Sequence, residues 1–197
     1  MNYATIKKTD IANGTGVRVS LFVSGCTHHC KGCFNPETWD FDYGQPFTRE
    51  VAREILDACA PDYISGLSLL GGEPFERANQ AELLKLLEEF GERYPQKNVW
   101  CYTGYLFERD ILGDMALKWQ EPLKMLSHID VLVDGEFVEE KKDLKLRFRG
   151  SSNQRIIDVK ESLRARGRPC LQKSFTKRRK NDTGQGLSLI HISEPTR

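Results

Sequence analysis

With 197 residues, 39% of them hydrophobic and 10% aromatic, the chain suits one domain with a buried core, and no apolar run approaches the ~20 residues of a membrane span. The net charge of +1 hides an uneven spread: residues 160–180 hold nine Lys and Arg against Glu161 alone, while residues 1–159 carry 19 Lys and Arg against 25 Asp and Glu. Phe175 is the only aromatic in that basic stretch, too few for a nucleic-acid surface, so neither nucleic acid nor a membrane is an expected partner.

Residues 1–8 lack the apolar stretch of a signal peptide, which makes the cytoplasm the default compartment. Residues 9–16 read as a Gly-rich turn into a first strand over 17–23. Directly after that strand comes Cys26-Thr27-His28-His29-Cys30-Lys31-Gly32-Cys33. Thr48 suits the N-cap of a helix over about 49–59, with Val51, Ile55, Ala58 and Cys59 at helical spacing. A short buried strand over 66–70 runs straight into Gly71-Gly72-Glu73-Pro74. A second helix over 79–92 places Leu83, Leu86, Leu87 and Phe90 on one core face. Residues 98–104 read as a third strand ending in a Gly turn at Thr103-Gly104, and a weaker helix follows somewhere in 106–126, interrupted around Gly113. A fourth strand covers 129–135, with Asp134 near its end, and 144–149 reads as a fifth.

The alternation of strands and helices predicts βαβ units with parallel strands and right-handed crossovers. Ligand groups in such sheets gather at the carboxyl ends of the strands. Here those ends carry the cysteine run, Gly71-Gly72-Glu73-Pro74, Thr103-Gly104 and Asp134. Taken alone, Gly-Gly-Glu-Pro is a plain turn; one βα unit after the cysteines, it reads as the second half of a site.

The three thiols are spaced C-x3-C-x2-C, and the count is the informative part. Iron–sulfur cubanes are held by four thiolates, so three would leave one metal corner open for a substrate or cofactor. The same spacing suits a structural zinc with His28 or His29 as fourth ligand, although both lie crowded inside the x3 gap. A disulfide is the remaining alternative, and a reducing compartment disfavours it.

These motifs together resemble the radical S-adenosylmethionine superfamily and, within it, the family of activases of the anaerobic ribonucleoside-triphosphate reductase. The shared residues include Asn13, Gly14, Gly16 and Arg18; Leu21-Phe22-Val23-Ser24-Gly25-Cys26; Gly44 to Thr48; Tyr102-Thr103-Gly104-Tyr105; Val131 to Gly135; and Arg149 to Arg155. Thr15 stands where a proline is usual. The resemblance covers about residues 2–163 and implies a partial (βα) barrel of parallel strands. It implies that Cys26, Cys30 and Cys33 hold a [4Fe-4S] cluster whose fourth iron chelates S-adenosyl-L-methionine. Gly32, Cys33 and Phe34 would line the adenine side, with Phe34 the stacking face because Gly32 replaces a usual aromatic. Gly71, Gly72 and Glu73 would meet the methionine amino group, and Thr103 and Asp134 are further candidates.

By the same resemblance, an electron from a flavodoxin-like donor would cleave the sulfonium to methionine and a 5′-deoxyadenosyl radical. That radical would take a hydrogen atom from a glycine Cα of the partner, the anaerobic ribonucleoside-triphosphate reductase. No general acid or base is needed, so His28 and His29 are assigned to loop packing or redox tuning. Residues 150–155 are either a capping turn or part of the face that receives the partner, and Cys59, Cys101 and Cys170 are assigned nothing. A related enzyme acting on a free metabolite and a non-enzymatic zinc module are the rival readings.

The activase domain is placed at 1–165, followed by a tail over 166–197. From about Lys177 onward the composition predicts disorder, and residues 188–197 resemble translated sequencing-adapter read-through.

Overall fold

A computed structural model describes residues 1–172, so the expectations for Lys177 onward lie outside the described residues. The first two strands, β1 (Asn2–Asp10) and β2 (Val17–Val23), are joined by the Gly-rich turn, and the short β3 (Gln45–Pro46) follows the cysteine run. Then come α1 (Arg49–Ala58), β4 (Ile64–Gly71), α2 (Arg77–Arg93) and β5 (Asn98–Tyr102). A π-helical stretch, Phe107–Met115, leads through α3 (Ala116–Lys118) to α4 (Glu121–His128) and β6 (Val131–Asp134). The chain then forms β7 (Arg155–Asp158), α5 (Val159–Arg164) and β8 (Cys170–Leu171), which carries the sheet past residue 165.

Among the described residues, all eight strands join one mixed sheet in the order β3-β1-β2-β4-β5-β6-β7-β8. Its centre, β2-β4-β5-β6, is parallel, as the βαβ alternation predicts. The outer strands correct the expectation of a wholly parallel partial barrel: they pair antiparallel, and the sheet is open. Connection length explains the direction of β1. A hairpin needs only a few residues between strands, whereas parallel neighbours need a crossover of a dozen or more. Between β6 and β7 the chain makes one 3₁₀ turn, Glu139–Lys141, and no α-helix to carry it back across the sheet. The strand expected at 144–149 is a loop, closed at its base by a bridge between Lys142 and Ser151.

Alternation along the strands separates two faces. On one, Val19, Leu21, Leu67, Leu69 and Leu132 pack against Ile55 and Leu56 of α1 and Leu83, Leu87 and Phe90 of α2. The α1 cap is as expected, with Thr48 Oγ1 accepting from the Val51 N–H at 3.4 Å. The interruption near Gly113 is the π-helix itself: a Cβ there would lie 2.9 Å from the Glu108 carbonyl oxygen, five residues back. The opposite sheet face carries Trp100, Val131, Val133 and Ile156, with Tyr102 and Phe148 against them and no helix residue in the cluster. That uncovered face leaves room for a cavity.

Arg18 ties the lower part of the sheet together. It is fully buried and donates to Ser68 Oγ, the Leu67 carbonyl, the Thr15 carbonyl and both oxygens of Asn98. Burial pushes its pKa down to about 10, so the guanidinium keeps its charge at neutral pH.

Candidate metal centre

Beyond the sheet, the ends of β2 and β4 continue side by side as paired backbone. Gly72 N–H donates to the Val23 carbonyl at 2.7 Å, Glu73 N–H to the Gly25 carbonyl at 2.8 Å, and Gly25 N–H to the Thr38 carbonyl at 2.8 Å. The glycines serve this approach. Gly71 has φ +109°, and a Cβ on Gly72 would meet the Gly25 oxygen at 2.6 Å and the Thr38 oxygen at 2.8 Å. Both obstacles are backbone and cannot swing aside. Gly72→Ala is therefore expected to cost about 1–3 kcal/mol and to reduce the iron bound after reconstitution. Thermal melting and iron analysis check this, and wild-type values in both would refute the packing argument.

The cysteine run follows Gly25 and forms one wall of a cavity of about 510 Å³. Cys26, Cys30 and Cys33 all line it, with Gly71, Gly72 and Glu73 beside them. None of the six cysteines is in a disulfide. Cys26 is buried, and burial pushes its pKa up to about 12; burial raises Cys30 as well. These sulfurs would carry thiolate charge readily only beside a cation. Backbone donors already point at them: the N–H groups of His28 and His29 at Cys26, that of Phe137 at Cys30, and that of Asn35 at Cys33 Sγ, 3.4 Å away. Hydrogen bonds to sulfur are one of the means by which a protein holds and tunes an iron–sulfur cluster.

The zinc alternative needs four groups aimed at one point. Among the described residues no three His, Cys, Asp or Glu side chains are grouped to hold a single ion. Both candidate fourth ligands are engaged elsewhere: the His28 ring lies between Glu73 and Glu136, and the His29 ring lies 4.8 Å from that of Trp39. A cubane spreads its thiolates over separate irons, which suits three sulfurs lining one wall.

The remaining expected residues divide. Phe34 lines the cavity, is 60% exposed and packs its ring 5.1 Å from that of Phe137. Gly32 is not among the lining residues; its φ of +72° turns the chain beside Glu139. Glu73 is buried with its carboxylate committed to the protein. Oε1 accepts from Phe75 N–H at 2.8 Å, and Oε2 accepts from Gly104 N–H at 2.7 Å while facing His28. Thr103 also lines the cavity, with its Oγ1 accepting from Tyr105 N–H at 3.1 Å. Asp134 is fully buried and does not line it. Its carboxylate accepts from Phe107 N–H at 2.9 Å and is bound by the Arg155 guanidinium through Nε at 2.9 Å and through Nη2.

Sequence reasoning missed Glu76, Glu136 and Phe137, and it misread 144–149. The alternation in that stretch is real: Leu144, Leu146 and Phe148 all line the cavity, but from a loop. Tyr102 also lines it, with its hydroxyl buried and without a hydrogen-bond partner among the described residues.

A family model described as a 4Fe-4S single cluster domain matches residues 12–157. The chain is 41% identical over 156 residues to the anaerobic ribonucleoside-triphosphate reductase-activating protein of Enterobacteria phage T4, covering 79% of this chain and 93% of that one. The protein of the same name from Escherichia coli K12 is 40% identical over 156 residues, covering 78% and 96%. That from Vibrio cholerae is 41% identical over 158 residues, covering 79% and 97%.

Proposed function

Since the chain belongs to the 4Fe-4S single cluster domain family, among the anaerobic ribonucleoside-triphosphate reductase-activating proteins, we propose that it generates a glycyl radical on that reductase by reductive cleavage of S-adenosylmethionine. One observation carries the reading: three thiols on one cavity wall, each met by backbone N–H, with both neighbouring histidines turned to other partners. Cys26, Cys30 and Cys33 would hold the cluster and leave one iron for the amino and carboxylate groups of S-adenosylmethionine.

When bound, the cluster and S-adenosylmethionine supply one-electron cleavage of the sulfonium, ending in removal of a hydrogen atom from a glycine Cα of the partner. The electron would come from a flavodoxin-like donor. The chain's own work is orientation and exclusion of water. Gly71 and Gly72 bring the β4 turn against the cluster loop, where a side chain would hold the two apart. Leu144, Leu146 and Phe148 present apolar surface to the same cavity, away from which a reactive carbon centre would meet stray hydrogen donors. Phe34, exposed at the rim, would stack on the adenine. Among the described residues no helix is long and apolar enough to cross a membrane.

Anaerobic reconstitution tests the proposal. About four irons per chain are expected, and addition of reductant, S-adenosylmethionine and the reductase should give the electron-spin signal of a glycyl radical. One tightly held zinc in place of iron, or cleavage that proceeds only with a small metabolite, would overturn it.

A further inference from the structure

Past Cys26, the segment that carries the other two thiols loses its backbone anchorage. Cys26 N–H still donates to the Trp39 carbonyl, but the next backbone pairing, Cys33 N–H to the Cys30 carbonyl, is internal to the loop. Side chains therefore hold the arch between Cys26 and Cys30. Thr27 donates through N–H and Oγ1 to Glu76 Oε1, at 3.0 and 2.5 Å, and Tyr105 Oη lies 3.3 Å from the same oxygen.

His28 makes the deeper attachment. Its side chain is only 10% exposed. Nδ1 lies 3.2 Å from Glu136 Oε1, while Nε2 lies 3.2 Å from Glu73 Oε2 but off the line of a hydrogen bond. The ring meets that of Tyr105 at 4.4 Å and 61°. Gly104 completes the socket by having no side chain, since a Cβ there would sit 2.6 Å from His28 Cδ2. The walls come from three different strand ends: Glu73 follows β4, Gly104 and Tyr105 follow β5, and Glu136 follows β6.

We propose that His28 is a positioning residue: its imidazole, seated between Glu73 and Glu136, fixes the cluster arch against the Gly71–Gly72 turn and so sets the placement of S-adenosylmethionine. The inference rests on the function proposed above. Cofactor placement depends on two chain segments far apart in sequence, and misplacement by an ångström can cost on the order of a hundredfold. The same Glu73 carboxylate that contacts His28 also holds Phe75 and Gly104 N–H, so the imidazole reads the position of the β4 and β5 turns directly.

The test uses the reconstituted holoprotein. His28→Ala leaves all three thiols in place and is expected to retain iron, to raise the Kd for S-adenosylmethionine on the order of tenfold, and to blunt the change that S-adenosylmethionine produces in the spin spectrum of the reduced cluster. His28→Gln, able to donate to one carboxylate, should recover part of both. Wild-type affinity and an undiminished spectral change in His28→Ala would overturn the inference. Should His28→Ala fail to bind iron, Glu136→Gln serves instead, because Glu136 is 60% exposed. With full iron it should show a severalfold higher Kd, and an unchanged Kd would overturn the inference. A wild-type cluster whose spectrum ignores S-adenosylmethionine would sink the proposed function itself, and this inference with it.

Discussion

Replacing Cys30 with serine is expected to yield a folded chain that holds no stable [4Fe-4S] cluster and produces no glycyl radical. Cys30 is half-buried and makes no contact on which the core depends, so the substitution should leave far-ultraviolet dichroism unchanged. What it removes is a soft, ionisable ligand. A serine hydroxyl deprotonates far less readily than a thiol, and the Phe137 N–H that now points at the sulfur cannot compensate for that. Iron bound after reconstitution should fall well below the wild-type value, and the glycyl radical signal should fall to background. Cys170→Ser is the contrast: this thiol, on the first residue of β8, contacts the Arg168 carbonyl at 3.6 Å, does not line the cavity, and the substitution should leave both measurements as in wild type. Iron retained in full by Cys30→Ser, with a normal radical yield, would refute the three-thiolate site.

The second large effect is on stability. Arg18→Met should destabilise the chain by roughly 3–5 kcal/mol, in the range of other losses from buried polar networks. All five contacts of this guanidinium are to neutral oxygens, three of them backbone carbonyls. Methionine fills much of the volume but leaves those acceptors buried without donors, at about 1–3 kcal/mol for each one left unsatisfied. Arg18→Lys should recover only part, because an ammonium lacks the planar fork that reaches β4 and β5 together. Urea unfolding measures both variants. An unfolding free energy for Arg18→Met within about 1 kcal/mol of wild type would show that water or repacking satisfies the acceptors.

Much of this site was legible along the chain because its parts are local. Three thiols within eight residues must share one loop, and a Gly-Gly-Glu-Pro turn at the end of the next strand must sit beside it if the two strands are parallel neighbours. Both follow from chemistry and from βαβ geometry. The parallel centre of the sheet and the core faces of α1 and α2 followed from hydrophobic period in the same way. The outer strand β1, flanked only by the two-residue β3, did not. None of its apolar residues is fully buried, and Lys7, Lys8 and Thr9 are exposed, so its pattern carries little of the alternation that marks a strand.

Residues whose partners lie far along the chain were less legible for a related reason. Asp134 looked like a cofactor contact because it ends a strand; the structure turns it toward Arg155, 21 residues on. Glu73 lines the cavity beside the thiols, and what the sequence did not show is that its carboxylate also accepts from Phe75 and Gly104 N–H and faces His28. The stretch 144–149 has the alternation of a strand but lies in a loop, because its side chains find a cavity to face where a sheet neighbour was expected.

Taken alone, the order of residues determined which atoms can ligate a metal, which strands must be parallel neighbours and which turn must face the cysteine loop. These depend on bond chemistry and on short-range chain geometry. Only the tertiary structure decided where the two histidines point, what the glycines make room for, that the sheet stays open with antiparallel edges, and which acidic groups are left for a ligand. Each of those is settled by groups tens of residues apart competing for the same hydrogen-bond donor or the same space, and that competition has no signature along the chain.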